Sequence, residues 1–138
     1  MRCCKLPSFL LSHISFLLYA YLMNLSAKKC VACEGGIPPL SGELLQKYFA
    51  ELHATWELVN EKSIGRKFEF KDFKEAMAFV NKVADIAESE GHHPDIKIWY
   101  NKVELELTTH ALGGLSENDF ILAAKVNQVI ANNANGAK

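Results

Sequence analysis

The residues of this chain best able to move protons are His92, His93 and His110. An imidazole gives or takes a proton near neutrality, with an ordinary pKa of roughly 6.5. Two of the three are adjacent, inside Glu88-Ser-Glu-Gly-His-His-Pro-Asp95. Neighbouring residues of extended chain point to opposite sides, so His92 and His93 reach one pocket only if the backbone bends between them. Gly91 can take φ values closed to other residues, and Pro94 restricts His93 to extended backbone. A bend is therefore available, and the three imidazoles are expected to form one acid–base site. A plainer description of the pair is a solvated helix end, where histidine meets the negative end of the helix dipole. For His53, near the end of an earlier helix, that description is adequate.

The elements that must position these residues follow from periodicity. Leu44, Leu45, Tyr48, Phe49 and Leu52 recur at helical spacing behind Ser41, giving a helix over about 42–54 with Ser41 as its cap. Trp56, Leu58 and Asn60 alternate with Thr55, Glu57 and Val59 in a first strand. Asn60 to Gly65 reads as a turn, and Lys67-Phe-Glu-Phe-Lys71 as the hairpin partner. Asp72 with Glu75 forms a capping-box-like start. The helix behind it runs to about Glu90 with Phe73, Ala76, Met77, Val80, Val83, Ala84 and Ala87 as its core stripe. Phe79 and Ile86 widen that stripe towards a subunit interface. Glu88 and Glu90 stand in the last turn, where the dipole disfavours anions. A local rule broken beside the histidines favours function there. Residues 96–100 and the alternating Val103, Leu105 and Leu107 read as a second hairpin, turning at Asn101-Lys102. His110 ends this strand-like run and, where the strand continues that far, falls on the face opposite the leucines. Ser116-Glu-Asn-Asp119 is a second capping box, opening a helix from Phe120 to about Ile130.

The order α-β-β-α-β-β-α implies an α+β fold, a four-stranded antiparallel sheet with three helices packed on one face. Open sheet edges need protection, so a homo-oligomer is expected. The chain has 138 residues and a formal net charge of -1, long enough for one domain with a real core and without the basic face that nucleic acid or a membrane surface demands. All four cysteines precede residue 34, too far from the expected core to staple it. Cys30 and Cys33 form a CxxC pair with neither a second pair for zinc nor a βαβ context for redox work.

Residues 1–40 read as leader and linker outside the core, 41–131 as the domain, and 132–138 as a disordered tail. The apolar run 9–25 follows a basic start, which suits a secretory signal, but no small-residue cleavage site follows it. An organelle leader, mitochondrial or other, is a second reading. Translation from Met23 is the reading preferred here, with a cytoplasmic location and no membrane attachment of the domain.

Glu-Gly-His-His-Pro-Asp, Tyr100-Asn-Lys-Val103, Thr109-His110 and Gly114-Leu-Ser-Glu-Asn-Asp119, with Lys71-Asp-Phe73 and Trp56, resemble the pterin-4a-carbinolamine dehydratases over roughly residues 30–130. The resemblance implies a subunit that assembles into a homodimer or homotetramer through sheet edges and helix packing. It implies dehydration of 4a-hydroxytetrahydropterin to quinonoid dihydropterin, a hydro-lyase reaction of tetrahydrobiopterin recycling, with no metal or organic cofactor. It also implies that His92, His93 and His110 are the catalytic histidines, and that Glu88, Trp56 and Asp119 bind the substrate. Two positions depart from some members: Gly91 replaces an aspartate, and Asn118 a basic residue. The transcription-factor partner of the family's animal members is not carried over. Two other classes compete. One is a metal-dependent hydrolase using the same three histidines, which lacks any carboxylate-plus-histidine helix motif. The other is a non-catalytic oligomeric binding or assembly protein on the same fold.

Overall fold

The computed structural model describes residues 24–32, 36–52 and 55–135, with side chains up to 132. The expectations for residues 1–23, Cys33 and His53 concern residues outside this set. Period-two alternation builds a sheet of β1 (Glu57–Val59), β2 (Ser63–Glu69), β3 (Asp95–Trp99) and β4 (Lys102–Leu107). Its spatial order is β1-β2-β4-β3, and every pair is antiparallel. The register sets Ile64 against Leu107, Phe68 against Val103 and Ile96 against Leu105 on one face. Lys67 opposite Glu104 and Asp95 opposite Glu106 stand on the other. One face is thus apolar and the other charged, as an antiparallel sheet covered on a single side requires.

Three helices cover the apolar face: α1 (Gly42–Glu51), α2 (Phe73–Glu90) and α3 (Glu117–Asn135). The α+β architecture and element order agree with the sequence reading. Leu45 from α1, Phe79 and Val83 from α2, and Phe120 and Val126 from α3 meet Ile64, Leu105 and Leu107 in one core. Asp72 caps α2 by accepting a hydrogen bond from the Glu75 N–H at 2.9 Å, and Glu75 answers by accepting from the Lys71 N–H.

Several local expectations change. Phe79 is core, packed against Phe68 and Phe70 at 4.7 and 5.0 Å between ring centroids, not part of an outer interface. Phe73 is instead half exposed and stacks on Tyr100. The stripe that faces the sheet is 76, 79, 80, 83 and 87, and Phe73 lies one turn before it. The first turn is shorter than expected: Lys62 N–H donates to the Val59 carbonyl, and strand pairing resumes at Ser63. The second turn is Tyr100-Asn101, because Trp99 pairs with Lys102. Asn101 is held there by two bonds with the Phe70 backbone, one in each direction. Ser41 occupies the cap position of α1 without a side-chain capping bond. Helix α3 extends through Asn135, beyond the expected end at 130–131, since adding a residue to a formed helix costs little.

Residues 24–32 are not outside the core. Leu25 is buried in it, and Cys30 packs against it. Residues 38–40 also join the domain: Leu40 N–H donates to the Leu115 carbonyl at 2.8 Å. Among the described residues no helix is long and apolar enough to cross a membrane.

Candidate active site

Gly91 makes the bend that the paired histidines need. It ends α2 in the left-handed conformation at φ 63°. Its N–H donates to the Glu88 carbonyl, and the His92 N–H to the Ala87 carbonyl. These two bonds are a Schellman ending, which reverses the chain at the glycine. His92 then turns inward and His93 outward.

His92 Nε2 meets Asp119 Oδ1 at 2.7 Å. The histidine side chain is 12% exposed and the aspartate 0%. Asp119 sits in the first turn of α3, where a carboxylate is favoured by the dipole. Its second oxygen accepts from Thr109 Oγ1 and from the Ser116 N–H, both at 2.8 Å. The latter is half of the expected capping box. The carboxylate therefore cannot rotate, and it presents one fixed oxygen to the imidazole. With that carboxylate ionised, His92 donates from Nε2, which leaves Nδ1 as the basic nitrogen of the neutral ring.

His93 Nε2 meets Glu88 Oε1 at 2.7 Å on the surface. His110 does not extend β4, which ends at Leu107; it opens a 3-10 turn, His110–Leu112. An isolated bridge between Thr109 and Gly114 closes this turn. His110 is 75% exposed, with Nε2 at 3.7 Å from Asp95 Oδ2, a distance that allows an ionic contact but no direct hydrogen bond. Gly114 is required in the turn, because a Cβ there would lie 2.8 Å from the Pro39 Cβ.

Three segments are thus tied in a ring. Loop 91–95 reaches α3 through His92 and Asp119. Helix α3 reaches the 109–114 turn through Asp119 and Thr109. The turn faces the loop again through His110 and Asp95. Each of the three histidines has a carboxylate neighbour. Trp56 stands elsewhere: it is buried, edge-on to Phe68, and its indole N–H donates to Asn127 Oδ1 at 2.9 Å. Asn127 lies eight residues beyond Asp119, about 12 Å along the helix at ~1.5 Å per residue. Among the described residues no cluster of histidine, cysteine and carboxylates is arranged to hold a metal ion. Sequence reasoning gave Thr109 and Asp95 no role, although both lie within the motifs it used. Ser116 was visible as the cap of α3.

Comparison with known proteins decides the family. The profile of the family described as pterin 4 alpha carbinolamine dehydratase matches residues 38–129. The chain belongs to the pterin-4a-carbinolamine dehydratase family. A protein of Alkaliphilus metalliredigens that bears the family's enzyme name provisionally is 46% identical over 105 residues, 76% of this chain and 95% of that one. One from Nitrosospira multiformis, named in the same provisional way, is 50% identical over 103 residues, 75% of this chain and 89% of that one. The crystal structure of a transcriptional coactivator/pterin dehydratase from Brucella melitensis superposes with a TM-score of 0.62 at 34% identity, covering 66% of this chain and 97% of that one. Within a pterin-4a-carbinolamine dehydratase, the ring of loop, turn and helix end around His92, His110 and Asp119 is the part whose chemistry needs an account.

Proposed function

We propose that this member of the family dehydrates 4a-hydroxytetrahydrobiopterin to quinonoid dihydropterin and water, using histidine acid–base catalysis. The observation that carries the proposal is the buried His92–Asp119 pair, with its carboxylate fixed by Thr109 and Ser116. A solvated helix end has no use for an aspartate that is 0% exposed.

The reaction breaks the bond from the ring carbon to the 4a-hydroxyl and forms a carbon–nitrogen double bond. One proton goes to the departing oxygen, and one leaves the ring nitrogen. His92 and His110 exchange these protons, and His93 orients the pterin, with Glu88 fixing the His93 ring. Asp119 holds the His92 tautomer and balances the imidazolium when it forms. Trp56, buried against Phe68, would act on the site only indirectly, through its bond to Asn127 of α3. No metal or organic cofactor is required by this scheme. The product would pass to a separate reductase in tetrahydrobiopterin recycling, and the working form would be a homodimer or homotetramer.

The decisive assay generates the 4a-hydroxytetrahydropterin in situ and follows quinonoid product with the purified full chain. Acceleration that is lost in His92→Ala and His110→Ala is the expected result. Wild-type turnover in both variants, or no acceleration by folded parent protein, would overturn the proposal.

A further inference from the structure

Residues 24–32 precede the part of the chain that the family profile matches, yet they are fastened to the ring just described. The Cys30 N–H donates to Glu90 Oε2 at 2.9 Å. The Val31 N–H donates to Asn118 Oδ1 at 3.1 Å, and Asn118 Nδ2 donates back to the Val31 carbonyl at 2.7 Å. Lys28 pairs with Glu117 at 2.5 Å, and Gln128 Nε2 reaches Ser26 Oγ at 2.8 Å. Leu25 anchors the near end in the core.

These fastenings fall on two places. Glu90 is the last residue of α2, two positions before His92. Glu117 and Asn118 are the first two residues of α3, directly before Asp119. The segment thus spans the joint that the His92–Asp119 bond closes. Glu90 is 3% exposed, and Lys125 of α3 binds it at 2.5 Å, so α2 and α3 already share a buried charge there. A buried carboxylate must be paired and hydrogen-bonded to be tolerated, and the Cys30 N–H supplies part of what Glu90 needs. The amide-to-backbone exchange at Asn118 resembles one rung of a sheet, two opposed bonds that fix both position and direction.

We propose that residues 24–32 are a positioning strap, which sets the distance between the end of α2 and the start of α3 and so holds His92 on Asp119. This rests on the dehydratase reading for its consequence in turnover, but not for its consequence in geometry. The strap's polar bonds run to Glu90, Glu117, Asn118 and Gln128. It acts through Glu90 and Asn118, which are positioning residues.

The test uses the full chain and two variants that cut the strap from opposite sides. Val31→Pro removes the N–H that Asn118 accepts and leaves α3 unaltered. Asn118→Ala removes both bonds from the helix side. Nitrogen-resolved NMR of the histidine rings reports the His92 tautomer, and amide exchange reports closure of the joint. In both variants the Nε2-protonated tautomer of His92 should lose population, and exchange at Gly91 and His92 should speed up about tenfold or more. In the dehydration assay kcat should fall about tenfold, with KM within twofold. If residues 24–32 lose exchange protection while the His92 signals and kcat stay at parent values, the strap is a cover and the proposal fails. Failure to release the strap by either variant overturns it as well. If the parent does not turn over pterin but the His92 signals move as expected, the strap stands and the dehydratase reading alone falls.

Discussion

Asp119 does three things with two oxygens, and its neighbours are arranged to allow it. Thr109 Oγ1 and the Ser116 N–H converge on Oδ2, so Oδ1 is left for His92. Asp119→Asn keeps the shape but removes the charge that balances an imidazolium. A hydrogen bond to a charged group contributes about 1.5–3 kcal/mol, and each ~1.4 kcal/mol in a barrier is tenfold in rate. The expected result is a kcat lowered about ten- to a hundredfold with a small change in KM, read from steady-state kinetics. His92→Ala and His110→Ala should each lower kcat by about 10²–10⁴, the usual worth of a positioned acid or base. Cys30 is a contrasting case. Burial, with Glu90 nearby, pushes its thiol up to about 12, so little thiolate exists at neutral pH. Alkylation at pH 8, mapped by peptide mass spectrometry, should leave Cys30 largely unmodified in the folded chain and label it on denaturation. The histidine motif could be read from the sequence because the reactive residue types lie close together in it. Asp119 was legible as part of a capping box but became a site residue only with the family resemblance, and Thr109 stood in a quoted motif without a role, since a threonine before a histidine carries no signal until folding brings it to Oδ2.

The ends of the elements, more than their middles, decide what the site looks like. Periodicity located all three helices and four strands, because each has a face buried against a single core. It misplaced both hairpin turns by one or more residues, because a turn is settled by backbone bonds that leave no trace in an apolar pattern. Asn60-Glu61 is the clearest example: both residues take positive φ, 51° and 56°, the twist that suits a hairpin. Glutamate is a poor occupant, since the left-handed region costs a side-chain-bearing residue about 1–2 kcal/mol. Glu61→Gly should therefore stabilise the domain by roughly 1 kcal/mol, seen as a higher urea midpoint. Gly114→Ala should do the reverse. Its new Cβ would strike a proline ring, and overpacking of this kind costs about 1–3 kcal/mol. The two acidic residues at the end of α2 looked like a violated rule in the sequence. In the fold Glu88 takes His93, while Glu90 is sunk beneath Lys125 and the strap, so the dipole's objection to an anion is overridden by partners from 35 and 60 residues away in sequence.

Those long-range partners make the whole molecule sensitive to acid. Burial alone would raise the Glu90 carboxyl, but the bonds from Lys125 and the Cys30 N–H outweigh it and bring the group from 4.5 down to about 2. A depressed folded-state pKa gives stability that is complete above the unfolded value and is lost as protons bind the folded form. Glu90 therefore stabilises the fold fully above about pH 4.5, and this contribution should drain away between there and about pH 2. Thermal midpoints should fall more steeply with acid in the parent than in Glu90→Gln, whose curve lacks this component. The open edges of the sheet are where the proposed homo-oligomer would pair. Edge strand β1 has three residues, whereas edge strand β3 has five and carries Ile98 and Trp99, the latter 54% exposed, with Tyr100 beyond it. An unpaired, partly apolar edge is a template for another strand. Pairing two copies there would hide these side chains and the open backbone groups together. A stable interface buries about 1,200–2,000 Å², more than one strand edge supplies, so neighbouring helix surface must join it. Sedimentation of the parent should show a dimer or tetramer at micromolar concentration. Ile98→Lys, which sets a charge on that edge, should shift it to monomer while the monomer keeps its helical circular dichroism. An assembly unmoved by Ile98→Lys would place the contact on another face, and the exposed aromatics at the end of β3 would then need a different partner.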